Sequence, residues 1–266
     1  MLQAADVVFG YPGHAPVLRG VTMEMPAASF VGILGPNGSG KTTLLRALAG
    51  VIRPSSGRVL LDGHDLAGVS RQALARRMAV VPQETHLAFD YTVLEVVLMG
   101  RYPYLGTFEV EGPADFAIAR EALGATGTLA LQDRAFDTLS GGEKQRVIIA
   151  AALAQTAAAE RDGILLLDEP TVALDLAYQL ELGTLLRDLQ RRLPMAIAVS
   201  THDLNFAAGL CRTLVLLKEG EVLATGPTED VLTPEHIRLL YGVEADVTRH
   251  AGTGRIVVVP VRRVTA

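Results

Sequence analysis

A glycine-rich stretch close to the N-terminus carries residue types that hold phosphate groups. The stretch Gly35-Pro-Asn-Gly-Ser-Gly-Lys41-Thr42 fits the pattern G-x-x-x-x-G-K-[ST], after an apolar segment with strand character and before one with helical spacing. Its glycines let backbone N–H groups surround phosphate oxygens, the lysine can reach β- and γ-phosphates, and the threonine hydroxyl can ligate Mg²⁺. The sequence therefore predicts a site for a nucleoside triphosphate. The residues expected to form it are Gly35, Pro36, Asn37, Gly38, Ser39, Gly40, Lys41, Thr42 and Thr43.

A second motif places two carboxylates at the end of an apolar segment. In Ile164-Leu-Leu-Leu-Asp168-Glu169, Asp168 is suited to hold a Mg²⁺ shell and Glu169 to polarise an attacking water. By itself this segment could equally be a strand that ends in a solvated acidic turn. Together with the glycine-rich stretch it indicates hydrolysis of a nucleoside triphosphate.

A third motif, Leu139-Ser140-Gly-Gly-Glu143, comes directly before a predicted helix. Its serine and its backbone N–H groups form a further anion-binding helix N-terminus. One chain thus contains two phosphate cradles.

In the order glycine-rich stretch, serine-glycine motif and paired carboxylates along the chain, these three motifs identify the sequence as similar to the ATP-binding cassette (ABC) ATPases over nearly the whole chain. The resemblance implies an α/β P-loop NTPase fold of the ABC type, with a mixed β-sheet core, an antiparallel β subdomain and a helical subdomain. It implies ATP and Mg²⁺ as cofactors. It also implies a head-to-tail homodimer, in which the third motif (the signature motif) of one copy touches the γ-phosphate held by Lys41 of the other. The signature residues expected to contact nucleotide are Ser140, Gly141, Gly142 and Glu143.

Four single residues match smaller elements of the same family. Tyr11 resembles the aromatic residue that stacks on adenine, and Asp175 resembles the D-loop aspartate. Gln83 resembles the Q-loop glutamine, which can add a contact to Mg²⁺ or water. His202 resembles the switch histidine, whose neutral imidazole can hydrogen-bond the γ-phosphate or the attacking water. Taken singly, these residues read as a surface aromatic, a helix N-cap, a solvated loop residue and a satisfied polar residue, and their order along the chain favours the functional interpretation.

Apolar patterning predicts the elements that position these residues. The expected strands are Leu2–Phe9, Val21–Met25, Phe30–Leu34, Ile164–Leu167, Met195–Val199 and Leu214–Leu217, with a turn that leads into a hairpin strand in 55–63 and an edge strand in 255–264. The expected helices are one from Thr42 that stops at Pro54, and Thr92–Gly100, Pro113–Leu123, Gly141–Ala159 and Leu176–Arg192, while residues 70–83 are expected to form a helix followed by a strand.

The pattern of predicted elements changes to mainly helical at about residue 84 and returns to alternating strands and helices after about residue 160, which predicts how the chain divides. Residues 1–83 and 161–242 are expected to form the nucleotide-binding core lobe, residues 84–160 a helical subdomain with the signature motif, and residues 243–266 a C-terminal β tail. The connection at 154–163 is longer than is usual in the family and is expected to be an exposed loop.

Composition excludes several classes of function. The 266 residues include 24 Lys and Arg against 29 Asp and Glu, a net charge of −5, which disfavours nucleic acid as a partner. The only cysteine, Cys211, excludes an internal disulfide, and the histidines other than His202 (His86 among them) show no metal-ligand spacing. The N-terminal sequence does not resemble a signal peptide, and no apolar run reaches the length of a membrane-spanning helix.

The segment that follows Gln83 resembles one branch of the family. Residues 84–106, and in them VVLMGRYPYLG, are similar to importers of ferric siderophores, haem and cobalamin, as are LLYGVEADV and VVVPV near the C-terminus. In that branch this segment borders the groove that receives the membrane permease. The resemblance implies a peripheral protein at the cytoplasmic face of the membrane, with permease subunits and an extracytoplasmic substrate-binding protein as partners. Which of the three cargoes is carried stays open.

Three alternatives differ in class. The chain could be the ATPase of another type of ABC transporter, or a cassette protein that acts on ribosomes or DNA without a permease. The single cassette and the acidic charge disfavour the latter. A P-loop kinase would have no use for the signature motif or for a switch histidine.

Overall fold

A computed structural model describes residues 1–85, 87–157, 163–172 and 174–264. Residues 158–162, which are half of the loop expected at 154–163, and the histidine at position 86 lie outside these ranges. The described strands are β1 (Leu2–Phe9), β2 (Leu18–Met25), β3 (Phe30–Leu34), β4 (Ser56–Leu61), β5 (His64–Asp65), β6 (Met78–Val81), β7 (Ile164–Asp168), β8 (Ala196–Thr201), β9 (Thr213–Lys218), β10 (Glu221–Pro227), β11 (Val243–Arg249) and β12 (Ile256–Arg263). The described α-helices are α1 (Lys41–Leu48), α2 (Arg71–Arg77), α3 (Val93–Leu98), α4 (Pro113–Ala125), α5 (Gly141–Thr156), α6 (Leu176–Arg192), α7 (Leu204–Leu210), α8 (Thr228–Val231) and α9 (Pro234–Tyr241).

The chain divides into two compact units, the first made of Met1–Gly68 with Ile197–Ala266 and the second of Val69–Ala196. In the first unit β2, β1, β4 and β5 form an antiparallel sheet. A second set of strands has β3 between β8 and β9, parallel to both, with β10 antiparallel at the edge. β11 and β12 form an antiparallel hairpin, the C-terminal hairpin.

The second unit is mainly helical. β6 and β7 pair in parallel, and α5 packs against α2, α3, α4 and β6. The interior side of α5 is made of small and aliphatic side chains, which lets these neighbours approach closely. The predicted boundaries of the core lobe, the helical subdomain and the tail stay predictions.

The strands that carry the site are buried along their whole length and are apolar except at their carboxyl ends. β3 (FVGIL) and β7 (ILLLD) are buried at every position, as is β8. Such continuous runs are typical of parallel strands that are covered on both faces. The buried environment extends to Cys211 at the end of α7, where desolvation raises the pKa of the thiol far above its ordinary range.

Several predicted elements are confirmed, with differences at their ends. β1, β3 and α6 begin and end at the predicted residues. α1 is shorter than predicted, because Gly50 takes φ 68° and ends helical geometry before Pro54. The helix predicted as Thr92–Gly100 ends at Leu98 and continues as a 3₁₀ turn over Met99–Tyr104, which contains Pro103.

This 3₁₀ turn is fixed to the end of α5 by a buried arginine. Arg101 donates from Nε to the Asp115 carboxylate at 2.9 Å and from Nη1 to the Ala154 carbonyl at 2.8 Å, and its guanidinium lies 3.8 Å from the centre of the Tyr104 ring. The Tyr104 hydroxyl donates to the Gln155 carbonyl at 2.8 Å. Two of the last carbonyls of α5 therefore accept hydrogen bonds from this turn. The Arg101 guanidinium also holds the pKa of Asp115 below its ordinary value.

We predict that Arg101→Ala lowers the free energy of unfolding by about 3 kcal/mol, because it leaves a largely buried carboxylate and a helix carbonyl without their partner. Arg120→Ala, on the exposed side of α4, is the matched control and should change it by less than about 0.5 kcal/mol. Urea unfolding followed by circular dichroism measures both. Equal effects of the two substitutions would contradict the structural role of Arg101.

Candidate nucleotide-binding site

The phosphate loop, Gly35–Gly40, connects the fully buried β3 to α1 in the first unit. Gly40 is the N-cap of α1 and has φ 104°, a conformation that disfavours any side chain. α1 therefore starts directly at Lys41, and its first backbone N–H groups point back toward the loop. This is the strand–loop–helix arrangement that the sequence motif predicts.

Two polar side chains of the loop suit a polyphosphate. Lys41 is 5% exposed, and its ammonium donates to the carbonyls of Gly35 at 2.8 Å and Pro36 at 3.2 Å. The Ser39 hydroxyl is buried and has no hydrogen-bond partner among the described residues. A cation held over backbone carbonyls, a helix N-terminus and an unsatisfied hydroxyl together provide an electropositive cradle for phosphate.

His202 lies at the same sheet edge as the phosphate loop. β3 and β8 are parallel neighbours with Leu34 opposite Thr201, so Gly35 and His202 are the residues that leave the two strands at equivalent levels. His202 is exposed, while Thr201 before it is fully buried. The backbone N–H of Asp203 donates to the Thr201 hydroxyl at 3.0 Å, and the Asp203 carboxylate caps α7. The structure therefore brings two predicted site residues of the first unit to one edge.

Tyr11 lies in the loop after β1 and is 37% exposed. Its ring packs edge-on against Phe9 at 5.1 Å, and its hydroxyl accepts a hydrogen bond from Arg46 at 3.4 Å. The Thr43 hydrogen bond first, and then the Arg46 guanidinium, lower the pKa of the phenol. Tyr11 is thus held against α1, the helix that follows the phosphate loop, with part of its ring open to solvent.

In the second unit, Gln83 and the two acidic residues leave a parallel pair of strands at one edge. Val81 of β6 lies opposite Leu167 of β7, so Gln83 and Asp168 follow at neighbouring positions. Asp168 and Glu169 are 7% and 6% exposed, whereas Gln83 is exposed. Within the described ranges no group of three or more His, Cys, Asp or Glu side chains could hold a metal ion. This is compatible with Mg²⁺, which is usually held by one or two carboxylates together with phosphate oxygens.

The signature motif begins α5 with a reciprocal capping box. The Ser140 hydroxyl accepts from the Glu143 N–H at 3.3 Å, and the Glu143 carboxylate accepts from the Ser140 N–H at 2.8 Å and from its hydroxyl at 2.9 Å. The backbone N–H of Ser140 lowers the pKa of Glu143. Glu143, predicted to contact nucleotide, is thus engaged in shaping the cradle in this structure. The ionised carboxylate orients the serine at the helix N-terminus.

Gly142 and Asp175 meet through a residue that sequence reasoning missed. A Cβ on Gly142 would lie 2.3 Å from Cδ1 of Tyr178, so the ring of Tyr178 occupies the space where a side chain would begin. Asp175 is the N-cap of α6 and accepts from the Tyr178 N–H at 3.0 Å. The alternative interpretation of Asp175 as a helix cap therefore describes its contact here, and a contact with nucleotide stays a prediction. The signal for Tyr178 in the sequence is weak, because nothing in its spacing links it to position 142.

The fold and these sites define the class of the protein as a P-loop nucleotide-binding protein of mixed α/β architecture, with an antiparallel sheet and helical elements. Residues 18–172 match the family described as ABC transporter. The chain belongs to this family, whose members bind ATP.

Individual relatives agree over nearly the full length. The hemin import ATP-binding protein HmuV of Bordetella pertussis is 45% identical over 252 residues, 94% of this chain and 95% of that protein. The ferric enterobactin transport ATP-binding protein FepC of Escherichia coli K12 is 38% identical over 262 residues, 98% of this chain and 94% of that protein. Among solved structures, an inward-facing ABC transporter of the metal-chelate type has a TM-score of 0.84 at 29% identity, over 98% of this chain and 96% of that one.

No helix within the described ranges combines the length and the apolar composition that crossing a bilayer requires.

We predict that Gly142→Ala destabilises the chain by about 1–3 kcal/mol, because the new methyl group must displace the Tyr178 ring. Gly141→Ala is a matched control in the same helical turn, where the nearest atom to an added Cβ is Cδ2 of Leu174 at 3.8 Å. The control should be neutral or stabilising by up to about 1 kcal/mol, since alanine favours helix over glycine. Thermal unfolding of both variants tests the difference, and equal melting temperatures would contradict it.

Proposed function

We propose that this chain is the ATP-hydrolysing subunit of an ABC importer that takes up an iron chelate, with haem as the preferred cargo. The observation that carries the proposal is the buried Lys41 across a strand–loop–helix phosphate cradle, in a chain 45% identical along its length to a hemin import ATP-binding protein. The ferric siderophore and cobalamin cargoes are the nearest alternatives. ATP binding follows from the cradle, and the cargo from the relatives.

The residues of the first unit are suited to bind the triphosphate. Lys41 and the N–H groups of the phosphate loop would neutralise and orient the β- and γ-phosphates, and the Ser39 hydroxyl offers a further donor. Tyr11 would stack on the adenine ring with its exposed face. His202, at the edge where the phosphate loop also ends, would hydrogen-bond the γ-phosphate or the water.

The residues of the second unit supply the hydrolytic groups. Glu169 is nearly buried and would act as the general base that polarises the attacking water, and Gln83 would contact the same region. Mg²⁺, when bound, spreads the charge of the phosphate oxygens, and Thr42, Asp168 and Gln83 are the side chains that would hold it.

A homodimer completes the site. The Ser140 cradle at the start of α5 is an anion-binding N-terminus in a unit that lacks the phosphate loop. In a head-to-tail dimer, Ser140, Gly141 and Gly142 of one copy would contact the γ-phosphate bound by its partner, with Asp175 beside them. ATP contacts both cradles only in the closed dimer, so it favours closure, and hydrolysis removes that preference.

The closing movement would drive a separate permease. The segment 84–106 follows Gln83 and contains Arg101, which is anchored on α5, and it exposes Phe89 and Tyr102 at 71% and 57%. Exposed aromatic side chains of this kind are typical of protein interfaces. We place the chain at the cytoplasmic face of the membrane, bound to permease subunits that receive cargo from an extracytoplasmic binding protein, with no role for nucleic acid.

Two substitutions separate binding from hydrolysis. Lys41→Ala should weaken ATP affinity at least tenfold, because it deletes the cation that faces the phosphates. Glu169→Gln should keep ATP affinity and lower the hydrolysis rate by about a hundredfold or more, since it removes the base but keeps the shape. Equilibrium binding and steady-state phosphate release measure the two effects, with Lys218→Ala as the control for loss of a lysine. Unchanged affinity in Lys41→Ala, or undiminished turnover in Glu169→Gln, would overturn the assigned role.

The partner and cargo are tested together. Tagged Glu169→Gln protein is incubated with Mg-ATP and detergent-solubilised membranes of its source, and the co-purified chains are identified by mass spectrometry. A polytopic permease is expected, and its reconstituted complex should show ATP hydrolysis stimulated by haem-loaded binding protein. Stimulation by a ferric siderophore or cobalamin instead would reassign the cargo, and ribosomal partners would support the permease-free alternative.

A further inference from the structure

The C-terminal hairpin, β11 and β12 with the turn between them, is joined to the helix that follows His202. The side-chain amide of Asn205 in α7 donates from Nδ2 to the Val258 carbonyl at 3.1 Å and accepts from the Val258 N–H at its Oδ1 at 2.8 Å. One asparagine side chain thus pairs with both backbone groups of a β12 residue, as a neighbouring strand would. Beside this pair α7 and β12 pack together, and each contributes a buried apolar side chain, Ala207 and Val258.

The outer edge of β12 is suited to this single attachment. The backbone groups of Val258 point away from β11, toward Asn205. Two residues further along the strand is Pro260, which has no N–H to offer to another strand. Proline at an edge opposes the addition of a further strand, so the edge is not built for pairing with another chain. The Asn205 side chain pairs with the N–H and the carbonyl of Val258, the backbone groups of this edge that lie next to it.

The other side of the hairpin is fixed independently of α7. β11 packs against α9, and Arg249 forms an ion pair with Glu229 of α8 at 2.5 Å. The Val264 N–H donates to the Gly242 carbonyl, which closes the base of the hairpin. The hairpin is therefore held by α8 and α9 without the help of α7, and α7 is joined to the hairpin through Asn205.

The first turn of α7 connects this attachment to His202. The Asp203 carboxylate accepts from the N–H groups of both Asn205 and Phe206 at 2.9 Å, and the Asp203 N–H is bonded to Thr201. His202 lies between these two anchored residues. A shift of Asn205 would move the Asp203 cap and, with it, the backbone that carries His202.

We propose that the C-terminal hairpin is a positioning element for His202 and that Asn205 is the positioning residue through which it acts. The side chain of Asn205 is engaged with Val258 and holds α7 so that the imidazole stays at the edge shared with the phosphate loop. This inference rests on the proposed function, because it requires that His202 takes part in hydrolysis. It gives the C-terminal tail a role in the rate of hydrolysis, separate from ATP binding.

The test compares full-length variants by their kcat and KM for ATP. Asn205→Ala removes both hydrogen bonds, and Asn205→Asp keeps the acceptor but sets a carboxylate oxygen against the Val258 carbonyl. Both should lower kcat by about tenfold to a hundredfold with KM changed less than about twofold, as expected when a catalytic group is displaced while the phosphate loop is intact. Arg262→Gln is the control, because it breaks the exposed pair with Glu244 within the hairpin and leaves the Asn205–Val258 hydrogen bonds in place. It should leave both constants unchanged.

A double-mutant cycle distinguishes positioning of His202 by Asn205 from a role of Asn205 in stability alone. In a His202→Ala background, Asn205→Ala should cause little further loss of kcat, because the group that it positions is gone. Equal losses in both backgrounds, or a lower melting temperature with unchanged kcat, would overturn the proposal. If His202→Ala has wild-type turnover, the role of His202 in the proposed function fails and this inference falls with it. Wild-type protein that hydrolyses no ATP would instead overturn the proposed function as a whole.

Hydrogen exchange gives a readout that does not depend on activity. In Asn205→Ala, peptides that cover residues 201–210 should exchange faster, and those from α1 and the phosphate loop should not. Unchanged exchange at 201–210 would overturn the proposal even where the His202→Ala background has too little turnover to measure.

Discussion

The arrangement of the site depends on the parallel pairing of strands that are buried on both faces. β3 and β8 end at the same level, β6 and β7 end within one residue of each other, and polar residues first occur at these ends. Because parallel strands present their carboxyl ends on one side, residues far apart in sequence leave the sheet at the same edge. Gly35 and His202 leave their strands at the same level in the first unit, and Gln83 and Glu169 do so in the second. The apolar runs therefore determine where the chemistry is placed.

The starts of helices are the second recurring feature. Ser140, Asp175 and Asp203 each cap a helix, and each is one of the predicted functional residues or directly adjacent to one. A side chain that satisfies the first N–H groups of a helix is held in one rotamer, which suits a group that must meet a phosphate or a partner chain. Structural and functional roles are thus combined in the same residues. This explains why the capping interpretation and the family interpretation of Asp175 are both compatible with its position.

The sequence predicts the elements whose apolar pattern can be recognised within a single short segment of the chain. Continuous apolar runs identified β3 and β7, and helical spacing identified α6 to the residue. The short helices α7, α8 and α9 were missed, as were the strands β10 and β11. β10 lacks an alternating pattern, and β11, in which apolar and polar residues do alternate, is only seven residues long. The motif residues were predicted because spacing alone defines them. Tyr178, Arg101 and Asn205 were not, because their roles depend on contacts with chain segments distant in sequence.

The burial of Cys211 has a practical consequence for spectroscopy. It is the only cysteine of the chain, and its side chain is almost fully enclosed, with the thiol held in its neutral form. Maleimide and methanethiosulfonate labels react with the thiolate, so the native background is essentially unreactive toward them. One cysteine introduced on the surface would therefore carry the only label of each copy. In an assembly of two copies, such a single substitution gives one interlabel distance, from which opening and closing can be followed without first removing a native thiol.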